Sequence, residues 1–152
     1  MDVEDLLIQD EGCKDSIYLD SVGIQTIGIG HNIEANPLPP GFVPPLKRIQ
    51  IDQLFQSDLT RTKNYLVNGL SWFGDLDEVR QAVLIGMCYN MGWGALSKFT
   101  NTLELIRTES WTAASVAMLD SLWARQLPSR SEKYANMMLS GLWPDNKDFP
   151  NN

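Results

Sequence analysis

The chain has 152 residues, 43% of them hydrophobic, and a net charge of −7. That is enough chain for one core-forming domain, with room for two small lobes; no apolar run approaches the ~18 residues of a membrane span, so stable membrane insertion is not expected. The acidic balance speaks against nucleic acid as a partner, because nucleic acid is bound largely through Lys and Arg.

The chain begins Met-Asp-Val-Glu-Asp, without the basic start and apolar core of a secretory leader. It is therefore expected to fold in a cytoplasm and to reach any extracellular substrate by another route. Cys13 and Cys88 lie 75 positions apart with no metal-type cluster around them. In that compartment both are expected as free thiols, and no cofactor or metal is expected.

The apolar run Leu6-Leu7-Ile8, followed by Glu11 and Gly12, predicts a short helix closed by a C-terminal glycine. Asp20-Ser21-Val22-Gly23 predicts a type I turn, joining strands at Ser16–Leu19 and Ile24–His31 into a hairpin. Period two puts Gln25, Ile27, Ile29 and His31 on one strand face, which the isoleucines mark as buried. Ile24, Thr26, Gly28 and Gly30 share the other, which the glycines should leave open to close approach. Five prolines between Pro37 and Pro45 exclude a helix interior or a central strand there.

Helical spacing from Ile51 to Leu66, ended by Gly69, predicts a connecting helix. Asp75 with Glu78 three residues on reads as a capping box for a central helix through Asn90, broken by Gly92 and Gly94. Further helices are predicted at 95–98, 102–107, 111–119 and, after Pro128 at a first helical position, 129–139. The tail from Asp145 is polar. The fold class is therefore α+β, with a small β-hairpin lobe at about residues 12–50 and a larger all-helical lobe. The helical lobe would cover about residues 67–144 together with the N-terminal helix, with a cleft between the lobes.

Two carboxylates and a threonine stand out. Hydrolysis of a glycosidic bond needs one protonated carboxylic acid for the leaving oxygen and one ionised carboxylate to activate water or attack the sugar. Glu11 sits at a helix C-terminus, where an anion is electrostatically disfavoured. Asp20 suits the first position of its turn, and Thr26 would be an ordinary strand threonine but for its glycine neighbours.

Glu11, Asp20 nine positions on, then Thr26 followed by Ile-Gly-Ile-Gly-His resembles the active-site segment of the T-even-type phage lysozymes. These glycoside hydrolases cut the glycan strands of peptidoglycan. Leu54-Phe55 with Asp58, Asn90-Met91-Gly92, Phe99-Thr100-Asn101, and Trp123 with Gln126, Pro128 and Arg130 extend the resemblance over nearly the whole chain.

The resemblance implies a lysozyme-like fold and a monomer. It gives Glu11 as general acid, Asp20 and Thr26 as the groups that position the attacking water, and inversion at the anomeric carbon. It places substrate contacts at Asn32, Tyr89 and Thr102. Arg130 would partner Glu11 or a neighbouring group, and His31 would form an ion pair with Asp58. It also implies an endolysin that waits in the host cytoplasm and depends on a holin.

A lytic transglycosylase would have no use for Asp20 and Thr26. A murein-binding or virion structural module would have no use for all three residues. A zinc amidase is disfavoured by the single histidine, His31. The tryptophans Trp111, Trp123 and Trp143 fall at helical spacing, which favours a core role over a sugar platform.

Overall fold

The structure, a computed structural model, describes residues 1–144; the polar tail expected from Asp145 lies outside them. Among the described residues there are eight α-helices and one three-stranded antiparallel sheet, ordered β1-β2-β3. The chain divides into two compact units. One runs from Glu4 to Arg61; the other takes residues 1–3 and 62 onward.

In the first unit, helix α1 spans Val3–Glu11. Glu4 and Asp5 in its first turn suit the positive end of the helix dipole, and Leu6 and Leu7 are fully buried. Burying two such side chains is worth roughly 1.5–3 kcal/mol each. The helix ends where the Gly12 N–H returns to the Ile8 carbonyl at 2.9 Å. Residues of α1 from Glu4 on group with the sheet, not with the helical lobe to which the sequence pattern assigns this helix. Gln56 Nε2 of the same unit donates to Glu4 Oε1 at 3.2 Å.

Strand β1 runs Lys14–Leu19 and β2 runs Gln25–Gly28. The turn between them closes as expected, with the Gly23 N–H on the Asp20 carbonyl at 3.0 Å. The expected single strand from Ile24 to His31 is in fact two. Gly28 and Gly30 adopt φ values of +65° and +64°, a left-handed backbone that side chains oppose, and the chain reverses there. It returns as β3, His31–Asn32, with His31 opposite Ile27 and Asn32 opposite Thr26. The expected open face beside Thr26 is not present either. Thr26, Ile27 and Gly28 are all buried, and Gln25, expected on the buried face, is the exposed residue of β2.

The proline-rich segment forms no helix or strand, as expected, and its end is tied back by the Leu46 N–H on the Asp15 carbonyl at 2.8 Å. Helix α2, Arg48–Gly69, follows and runs in sequence through the boundary at residues 61 and 62.

The second unit is helical. A short 3-10 helix, Phe73–Asp75, leads to α3, Glu78–Met91. The N-cap of α3 is Asp77, whose carboxylate accepts the Arg80 N–H at 3.1 Å, and not Asp75, which ends the 3-10 turn. Then come α4 (Trp93–Leu96), α5 (Thr100–Arg107), α6 (Trp111–Leu119), α7 (Leu122–Gln126) and α8 (Pro128–Ser140, with proline in its first turn). Helix α4 starts two residues before its expected position, and α7 has no counterpart among the predicted elements.

Helix α8 packs on α3, α6 and α7. It approaches α3 closely because residue 86 is glycine: a Cβ there would stand 2.2 Å from the hydroxyl of the fully buried Tyr134. Trp123 is a core residue, its ring 5.9 Å from that of Tyr134 and its Nε1 donating to Asn90 Oδ1 at 3.0 Å. Arg80 lies over Trp111 and donates to the Met138 and Leu139 carbonyls, satisfying the end of α8.

Candidate active site

Asp20 and Thr26 are anchored to the same residue. Asp20 Oδ1 accepts the N–H groups of Val22 and Ile24, both at 2.9 Å, as an aspartate at a turn start does. The Ile24 carbonyl accepts the Asp20 N–H at 3.0 Å and the Thr26 hydroxyl at 2.8 Å. The carboxylate is thus oriented through Oδ1, and these bonds leave Oδ2 to act. The Thr26 hydroxyl has its proton committed to a carbonyl, so toward a ligand its oxygen is an acceptor. Thr26 is only 4% exposed, so a small molecule such as one water is what could reach it.

Glu11 reaches the same small unit from the end of α1. Its carboxyl group lies against Gly30: a Cβ on that residue would stand 2.7 Å from Glu11 Oε2 and 2.9 Å from Cδ. The space that the glycine leaves is therefore filled by the acid, and not kept for an incoming ligand as the strand pattern suggests. This contact ties the Glu11 side chain to the turn that carries β2 into β3.

Behind the strands lies a buried charged group. His31 Nδ1 is 2.7 Å from Asp58 Oδ2, and His31 Nε2 is 2.8 Å from the Asn36 carbonyl. The side chains of His31 and Asp58 are 4% and 8% exposed. A neutral imidazole carries one N–H, so two acceptors on its two nitrogens call for the protonated ring. Burial is the largest influence on its pKa and pulls it down. The Asp58 hydrogen bond and charge, with the Asn36 carbonyl, outweigh burial and the opposing charge of Arg61, and the His31 pKa is raised above 6.5. Arg61 donates to the other Asp58 oxygen, Oδ1. The sequence points to the His31–Asp58 pair but not to Arg61 or Asn36; an arginine three residues after Asp58 on one helix face is the available signal.

The remaining candidates are more scattered. Asn32, on β3 opposite Thr26, accepts the Ala35 N–H with its side-chain oxygen at 2.9 Å, which leaves its amide nitrogen and the second lone pair of that oxygen for a sugar. Tyr89 stands half-buried on α3. Thr102, on α5, is 6% exposed and has little surface for a substrate. Arg130 is the third residue of α8. Cys13 is exposed and Cys88 buried, both as free thiols, and burial pushes the Cys88 pKa up to about 11.

A family profile described as phage lysozyme matches residues 8–139. The chain belongs to the phage lysozyme family. It is 29% identical to "Probable T4-type lysozyme 2" of Dictyostelium discoideum, over 91% of this chain and 94% of that one. It is 27% identical to the pre-baseplate central spike protein Gp5 of Enterobacteria phage T4, over 93% of this chain and 28% of that one. A peptidoglycan hydrolase, gp36 of Pseudomonas phage phiKMV, is 26% identical over 87% of this chain and 14% of that one. The chain is thus a glycoside hydrolase of the lysozyme type, and Glu11, Asp20 and Thr26 all fall within the matched segment.

Proposed function

We propose that this lysozyme hydrolyses the β-1,4 bond between N-acetylmuramic acid and N-acetylglucosamine in peptidoglycan, with inversion. Glu11 protonates the leaving oxygen. A water held by Asp20 Oδ2 and Thr26 Oγ1 attacks the anomeric carbon and passes its proton to Asp20. The observation that carries this reading is the shared anchor at Ile24. It leaves two acceptors, one carboxylate oxygen and one hydroxyl oxygen, matching the two O–H groups of one water.

Stereochemistry tests the mechanism. A held water attacking the face opposite the leaving group gives an α product, whereas a covalent intermediate on Asp20 would give β. Nuclear magnetic resonance of the first-formed anomer is expected to show α. A β product contradicts the held-water mechanism.

The setting we propose is a phage endolysin that stays in the host cytoplasm until a holin opens the membrane. No helix among the described residues is long and apolar enough to cross a membrane, and passage to the wall is assigned to the separate pore. Expression in bacteria without a pore-former is expected to leave cells intact, and co-expression with one to lyse them. Prompt lysis by this protein alone would refute the dependence.

A further inference from the structure

The hairpin register brings another side chain to the face that carries Thr26, beside the turn headed by Asp20. Tyr18 of β1 stands directly opposite Thr26 of β2, and Leu19 stands opposite Gln25. Directly opposed residues of an antiparallel pair project to the same face, with Cβ atoms about 4.5–5.5 Å apart. Leu19 is 65% exposed and Gln25 is exposed too, so theirs is the outer face. Tyr18 shares the inner one with Thr26, and Asp20, two residues on from Tyr18, heads the turn that closes this end of the ladder.

Tyr18 is held in place from its own strand. Four residue steps of β1, Lys14 to Tyr18, oppose only two of β2, and this bulge accompanies a close contact between the two side chains. Lys14 Nζ lies 4.4 Å from the centre of the Tyr18 ring.

We propose that Tyr18 is a positioning residue whose ring walls the water site beside Thr26, so that the site accepts water and turns away larger nucleophiles. This rests on the held-water reading above. The two acceptors suit a molecule with two O–H groups. An alcohol offers one, and its carbon needs room on the side of Thr26 that Tyr18 borders. In the hydrolytic step the water oxygen bonds to the anomeric carbon as the glycosidic C–O bond breaks. The Glu11 proton goes to the leaving oxygen and the water proton to Asp20. If methanol attacks instead, the same bonds change, the methanol proton goes to Asp20, and a methyl glycoside replaces the reducing end.

The test is digestion of purified peptidoglycan in aqueous methanol, with methyl glycosides counted against new reducing ends. The wild type is expected to give reducing ends almost alone. Tyr18→Ala is expected to raise the methyl glycoside share about tenfold, the discrimination that a methyl-sized change in a pocket commands, and to lower kcat with KM little changed. Tyr18→Val, β-branched as strands favour, gives the same readout if the alanine variant fails to fold. Tyr18→Phe keeps the ring and is expected to partition as wild type. An active Tyr18→Val with an unchanged product ratio overturns the proposal, and so does a Tyr18→Phe that behaves like Tyr18→Ala. Wild-type protein that releases no reducing ends would instead overturn the hydrolytic reading itself.

Discussion

Glu11→Gln is expected to give a folded protein whose turnover falls by at least the roughly 10²–10⁴-fold that a positioned general acid contributes. The amide fills the same space against Gly30 but has no proton to deliver to the leaving oxygen. Because the carboxyl group lies where a Cβ of residue 30 would stand, a near-isosteric replacement keeps the contact that a smaller one would empty. Thermal unfolding should therefore match wild type while release of reducing ends drops to a trace. Substantial remaining activity would remove Glu11 from the mechanism.

Asp58→Asn carries the second large effect, on stability. Removing one partner of a buried ion pair costs about 3–5 kcal/mol, because the other charge stays buried. The pH dependence follows from the raised His31 pKa. A raised folded pKa gives stability that is fully present below the unfolded value of about 6.5 and is lost as pH rises through the folded value. The variant should therefore lose most at pH 5.5 and less at pH 9, where protonated His31 no longer contributes fully. Arg61 also bonds Asp58, so a smaller deficit should persist at pH 9. Denaturant unfolding of both proteins at the two pH values checks this. An equal loss at both would return His31 to the status of a neutral core histidine.

The sequence makes the helices legible where end signals and spacing agree. Gly12 after Leu6-Leu7-Ile8 marks the end of α1, and Pro128 marks the start of α8. It misleads where one residue type carries two meanings. Gly28 and Gly30 continue the period-two pattern of a strand, yet their left-handed φ turns the chain back. Asp75 and Asp77 both suit a cap, and only the 3-10 turn ending at Asp75 shows which one serves. Helix α7 has only 5 residues, and Ser121, its N-cap, is its one strong start signal.

The residues proposed to react, Glu11, Asp20 and Thr26, can be picked out in the sequence, but their anchoring cannot. The peptide of Ile24 holds Asp20 and Thr26 through backbone atoms, which leave no trace in residue type. Counting outward from the turn residues Asp20–Gly23 alone would pair residue 19 with 24 and 18 with 25, whereas the Asp20 N–H on the Ile24 carbonyl sets the pairs at 19 with 25 and 18 with 26. That count needs the turn's hydrogen bonds, because a bulge like the one between Lys14 and Tyr18 shifts every pair beyond it.

Product analysis of purified peptidoglycan digested by the protein tests the central claim most directly. New reducing ends on intact sugars are expected, with release abolished in Glu11→Gln and strongly reduced in Asp20→Asn. Anhydro sugars would make the chain a lytic transglycosylase, free amino groups an amidase, and no release a binding module. Any of the three would contradict a hydrolytic role for Glu11, Asp20 and Thr26.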